Sequence, residues 1–302
     1  VVEGPDGMIY VMNGNHTKVP DGIAPESPHK NYQEDHLLPR QWDAGGHAVG
    51  ILAPGGYIVR TDPDGKDWEL LFGGFRNSYD FDFNPDGEIF TYDSDMEWDW
   101  GLPWYRPTRI VHGVSGGEYG WRSGSAKQPE YYADTLPPTV NTGIGSPTGV
   151  KFGTKSNFPK KYRDALYAMD WSYGRIYAIH LKPNGASYTG EPEEFLKGKP
   201  LNVTDLEFGL DGAMYFITGG RGTQSGLYRV SYAGKADAGG ATTVSKAELK
   251  SAAEARALRR KLESFHGKKD PRALEVAWPQ LRSPDRFIRF AARTAIEWQD
   301  VA

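Results

Sequence analysis

The fold is decided by one short pattern that the chain repeats: Gly4-Pro-Asp-Gly-Met-Ile-Tyr10-Val-Met12, Asn84-Pro-Asp-Gly-Glu-Ile-Phe90-Thr-Tyr92 and Gly209-Leu-Asp-Gly-Ala-Met-Tyr215-Phe-Ile217. Each copy is a tight Asp-Gly turn followed by a short aromatic or aliphatic strand, with glycine supplying the positive φ the turn needs. A fourth copy, Phe158-Pro-Lys-Lys-Tyr-Arg-Asp-Ala-Leu-Tyr167-Ala-Met-Asp170, carries a longer turn before the same strand. A second alternating strand follows each copy, through Ile58, Ile110, Ile176 and Leu227, at steps of 52, 66 and 51 residues. Paired elements at that period predict four-stranded propeller blades, the larger step holding an insertion.

Composition agrees with an all-β chain of short strands. Of 302 residues, 38% are hydrophobic and 13% aromatic, with 37 glycines and 21 prolines, so aromatic side chains must fill the core between many turns. A net charge of −4 and a pI near 6.0 give no nucleic-acid footprint. With no cysteine, disulfides, thiolate zinc sites, iron–sulfur clusters and covalent haem are excluded from this sequence. No apolar run is long enough to span a bilayer, so no transmembrane segment is expected.

The predicted organisation is propeller blades over 1–232, a small-residue linker over 233–245 and an α-helical segment over 246–302. About four blades are expected here, as part of a six-bladed propeller. The chain opens within a strand-and-turn motif, and the remaining blades are expected upstream or elsewhere in an assembly. Ser245 with Glu248 reads as a capping box. Ser283-Pro-Asp-Arg286 opens a helix of the kind seen in HEAT-like repeats. Such a tail is either a docking surface for a partner or a helical cap on the propeller.

The densest chemistry lies in Tyr92-Asp-Ser-Asp-Met-Glu-Trp-Asp-Trp-Gly-Leu-Pro-Trp-Tyr-Arg-Pro-Thr-Arg109. Asp93, Asp95, Glu97 and Asp99 repel one another unless a cation neutralises them, and oxygen ligands without cysteine point to calcium. Arg106 and Arg109 offer the competing answer, an arginine–carboxylate network. Just before the Asn84 turn, Gly73-Gly-Phe-Arg-Asn-Ser-Tyr-Asp80 places Arg76 and Asn77 at a blade's innermost strand near the propeller axis, where the planar arginine fork suits a carboxylate or quinone oxygen. Arg221, in Gly219-Gly-Arg-Gly-Thr-Gln-Ser225, occupies the matching loop of the last blade. His47, in a glycine-rich stretch, and His16, at the end of the first long strand, are candidate general bases or metal ligands.

The segment from Gly74 to Glu88 resembles the Arg-Asn region of the glucose/sorbosone dehydrogenase propellers, soluble quinoproteins that use pyrroloquinoline quinone and calcium. With Tyr92–Arg109, Glu118-Tyr-Gly-Trp-Arg-Ser-Gly124 and Gly219-Gly-Arg221, the chain looks closest to large membrane-bound dehydrogenases of Planctomycetes and Verrucomicrobia. In those, a propeller precedes HEAT repeats and a c-type haem domain. The resemblance implies that Arg76, Asn77 and, more loosely, Arg221 contact the quinone. In the family a general-base histidine precedes the motif that starts here at Gly4, a position ahead of Val1. Asn15 stands where an acid is expected, and Asp93-Ser-Asp-Met-Glu97 replaces the calcium loop's Gly-Pro. An exported sugar or alcohol dehydrogenase passing electrons to a haem domain is one implied function. A carbohydrate- or protein-binding propeller and a scaffold docked through its helical tail are the others.

Overall fold

The computed structural model describes residues 1–29, 32, 48–96, 105–124, 126–234 and 244–300. The first sheet joins β1 (Val2–Glu3), β2 (Ile9–Asn13), β3 (Gly56–Thr61) and β4 (Trp68–Phe75) in chain order. The second joins β5 (Phe81–Phe83), β6 (Ile89–Asp93) and β7 (Thr108–Gly113); the pair β8 (Trp121–Arg122) and β9 (Ala126–Lys127) intervenes before β10 (Val140–Gly143) completes it. β11 (Pro147–Phe152), β12 (Leu166–Asp170), β13 (Arg175–Asn184) and β14 (Ser187–Lys197) form the third, and β15 (Val203–Phe208), β16 (Met214–Thr218) and β17 (Gly226–Val230) the fourth. All four are antiparallel meanders, so the fold is propeller-like.

The repeated turns behave as their residues dictate. Gly7, Gly87 and Gly212 take φ of 75°, 75° and 71°. Asp6 accepts from the Met8 amide and the Tyr10 hydroxyl, and Asp211 does the same with Ala213 and Tyr215. In the third sheet a short helix, α1 (Lys160–Arg163), replaces the turn.

Buried aromatics fill each gap between sheets. Phe72, Phe75 and Phe81 lie between the first two, Phe90, Tyr92 and Phe152 between the second and third, and Tyr167, Phe208 and Phe216 between the last two. The first strands of successive blades are stitched together: Asp80 accepts from the Val150 amide at 3.0 Å and Asp82 from Phe152 at 2.8 Å. Since neighbouring strands alternate in direction, the links after β2, β4, β6, β10, β12, β14 and β16 all leave from one rim. The Asp-Gly turns sit at the opposite rim.

The tail folds onto that opposite rim as α2 (Lys246–Glu263), α3 (Arg272–Ala277), a 3₁₀ turn (Trp278–Arg282) and α4 (Arg286–Glu297). Ser245 and Glu248 form the reciprocal cap. Arg259 and Arg260 donate to Glu88 in the second blade's turn, and Arg256 donates to Asp86. Asp285, the α4 cap, also accepts from the Ala186 amide, and Arg286 donates to the carbonyls of Glu130, Tyr132 and Thr135. Leu262, Phe265, Phe287 and Phe290 join the core of the first two blades. A HEAT-like repeat is not evident in this tail of three helices and a 3₁₀ turn, whose α2 and α4 are anchored on the blades.

Glu88 also faces His112 Nε2 at 2.9 Å, while His112 Nδ1 lies 2.9 Å from Ser187 Oγ. This has the hydrogen-bond order of a Ser-His-acid relay. Ser187 and His112 are only 3% and 0% exposed, however, and two arginines neutralise the acid, so the trio is an anchor for α2.

Candidate cofactor site at the loop rim

Asp93 ends β6 and pairs in register with Arg109 on β7. One carboxylate oxygen accepts from the amides of Arg76 (3.0 Å), Asn77 (3.3 Å) and Ser94 (2.9 Å). The other takes both Nε and Nη2 of Arg109, at 3.1 and 2.9 Å, with Lys127 Nζ 3.6 Å away. Burial alone would raise this carboxyl, but Lys127 and Arg109 overcome it and hold it below the usual carboxylate range. Asp93 thus closes the link between blades.

Lys127 is the residue that sequence reasoning missed. It is buried, its amine pushed down to about 7 by desolvation against the pull of Asp93. Its Nζ donates to the carbonyls of Ser94 and Pro107, clasping both ends of the acidic stretch. The same stretch is pinched at its base by a two-way backbone pairing of Met96 with Arg106. Lys127 arrives on the insertion 114–139, which climbs along β4 from the opposite rim. Nothing in its spacing marks a lysine for burial; the nearby Glu118–Gly124 match was the closest signal.

Asp95 is 6% exposed; one of its oxygens lies 3.8 Å from Arg76 Nη1 and the other 3.1 Å from the Tyr105 hydroxyl. Tyr105 also reaches the Gly143 carbonyl at 2.6 Å, and burial followed by the Asp95 charge raises its phenol. Arg76 and Asn77 lie in the link from β4 to β5, between blades rather than on a first strand. Gly74, at φ 90°, makes that link possible: a side chain there would strike Glu118 and the amides of Tyr119 and Gly120. The first blade approaches from the other side, the Asn15 amide donating to the Arg76 carbonyl at 3.1 Å. A Cβ on Gly14 would come within 2.7 Å of Asn77 Oδ1. Asn15 and Ser78 are each 3% exposed, yet Asn15 Nδ2 and Ser78 Oγ have no hydrogen-bond partner among the described residues.

The structure thus brings Arg76, Asn77, Asp93, Asp95 and the loop carrying His16 together, with His16 itself exposed. His47, Glu97 and Asp99 lie outside the described residues. Arg221 stands on the fourth blade, its guanidinium 5.4 Å from the Trp171 ring centre. Arginine, lysine and tyrosine donors lie against the oxygens of Asp93 and Asp95. Among the described residues, no group of three or more His, Asp or Glu could hold a metal ion.

No protein-family model matches the chain, and a search of curated proteins finds no match. Solved structures do match. An oxidoreductase of glucose dehydrogenase type from Thermus thermophilus is 20% identical over 76% of this chain and 63% of its own, with a TM-score of 0.51. Two further glucose dehydrogenase structures each match over 76% of this chain and 62% of theirs, at 16% and 17% identity and TM-scores of 0.52 and 0.51. The chain therefore has a sugar-dehydrogenase-like propeller fold and spans less than two thirds of those structures' length. No helix among the described residues is long and apolar enough to cross a membrane.

Proposed function

We propose that this chain is the propeller portion of a sugar or alcohol dehydrogenase that takes pyrroloquinoline quinone at the Arg76–Asn77 rim. One observation carries the reading: the Arg76–Asn77 link meets the loop of Asn15, whose buried side-chain amide has no hydrogen-bond partner among the described residues, beside the Asp93–Asp95 cluster. Arg76, Arg109 and Lys127 face Asp93 and Asp95. Such a donor set suits a planar group bearing carboxylates and carbonyl oxygens and disfavours a dication.

In this reading the Arg76 fork holds a carboxylate or quinone oxygen, and Asn77 and Asn15 supply amide N–H donors. The quinone, when bound, would supply a two-electron acceptor for oxidation of a sugar hydroxyl carbon. An imidazole nitrogen of His16 or His47 would take the hydroxyl proton. Calcium at this loop would depend on Glu97 and Asp99, since Asp93 and Asp95 are engaged. Passage of electrons to a haem domain, export to the periplasm or exterior, completion to six blades, and continuation of the tail as HEAT-like repeats belong to the same proposal. A carbohydrate-binding propeller without turnover is the second reading, favoured by Tyr79 and Tyr173, which are 61% and 49% exposed at this rim.

The test is reconstitution with pyrroloquinoline quinone, with and without calcium, followed by visible spectroscopy and dye-linked oxidation of aldoses. Turnover that disappears in Arg76→Ala supports the enzyme. Sugar binding with neither a quinone spectrum nor turnover would leave the binding reading.

A further inference from the structure

The loop rim continues beyond Arg76 as a connected strip over three blades. The Tyr105 hydroxyl touches the Gly143 carbonyl, and the next residue, Ile144, is 54% exposed. The Ile144 carbonyl accepts from Arg175 at 2.5 Å, and Arg175 lies 4.9 Å from the Tyr173 ring centre. Trp171 follows, donating to the Gly219 carbonyl at 2.6 Å, and its ring carries Arg221. Tyr105, Ile144 and Tyr173, which are 37%, 54% and 49% exposed, thus line this path.

Two features set Arg221 apart. Its φ of 49° makes it the one non-glycine in the left-handed region among the described residues, flanked by Gly219, Gly220 and Gly222. Backbone strain of this kind persists at ligand-facing positions. Arg175 is neutralised by Asp170 at 2.8 Å, whereas Arg221 is exposed and, among the described residues, lies against the Trp171 ring without a carboxylate partner.

We propose that this strip is an extended subsite for an acidic oligosaccharide, with Tyr173 stacking on a sugar face and Arg221 reading a uronate carboxylate. Aromatic faces accept the C–H side of a pyranose, and an unpaired guanidinium takes a carboxylate through two parallel bonds. One unpaired cation on an aromatic path matches isolated carboxylates, while a chain with net charge −4 lacks the basic tract that a nucleic acid would need. The proposal rests on the reading that this rim meets sugars. Binding is measured without quinone or turnover, so either can fail alone.

The experiment is titration calorimetry of the full chain with a five-residue oligogalacturonate, its neutral galacto-oligosaccharide counterpart, monomeric galacturonate and oligothymidylate. The acidic oligomer should bind at least about tenfold more tightly than the other three, as expected for a charge-assisted pair. Arg221→Gly, which suits the backbone, should erase the preference for acid, and Tyr173→Ala should weaken both oligosaccharides. Equal binding of acidic and neutral oligomers, tighter oligothymidylate binding, no binding at all, or an unchanged Arg221→Gly overturns the proposal.

Discussion

The second and third blades end their second strands alike, with Asp93 opposite Arg109 and Asp170 opposite Arg175. In both, one carboxylate oxygen gathers amides of the linking loops and the other takes the arginine. The surroundings differ. Arg175 keeps 17% of its side chain exposed and leans on Tyr173 and Tyr177, whereas Arg109 is 5% exposed and shares Asp93 with the buried Lys127. Asp93 is therefore the repeat's own latch, and the features peculiar to the second blade are Lys127, Asp95, Tyr105 and the Arg76–Asn77 approach. A carboxylate in a conspicuous acidic stretch can belong to the scaffold, while the distinguishing charge arrives from elsewhere in the chain.

Removing each latch should separate the two. Asp93→Ala strands the buried Arg109 guanidinium and is expected to cost about 3–5 kcal/mol, against about 1–3 kcal/mol for Asp170→Ala, whose arginine can turn to water. Urea unfolding of both variants checks this, and equal losses would break the comparison.

Acid should also act on the second blade through His112. Burial pushes the His112 imidazole down to about 4 from 6.5, so the unfolded chain takes up the proton before the folded one. The stability tied to neutral His112 is complete above about pH 6.5 and drains away as pH falls toward 4. Urea unfolding of the wild type and His112→Gln should therefore converge in stability as pH falls from 7 toward 4, since the variant has no imidazole to titrate. A stability gap that stays constant over that range would contradict this. The smallest effect belongs to Tyr105→Phe, which removes one hydroxyl between Asp95 and Gly143 and should cost about 0.5–1.5 kcal/mol in thermal unfolding.

Much of the scaffold was legible because the Asp-Gly turns are local. Ile58, Ile110, Ile176 and Leu227 all fall on the third strand of their sheets, and the Ser245 cap needed only four residues to be seen. The site was less so. Asp93 reads as a ligand until Arg109 and Lys127 fold onto it, and Lys127 comes from a separate insertion. The docking of α2 depends on Asp86 and Glu88, more than 160 positions earlier in the chain, a separation no periodicity reveals. His47, Glu97 and Asp99 fall outside the described residues, so their placement was read from sequence alone.

The central claim, that the Arg76–Asn77 rim receives an anionic quinone, is tested most directly by calorimetric titration of pyrroloquinoline quinone into the wild type, Arg76→Ala and Asp170→Asn. Saturable binding to the wild type and to Asp170→Asn, weakened about tenfold or more in Arg76→Ala, is the predicted result. No binding to the wild type, or equal affinity in Arg76→Ala, would contradict it.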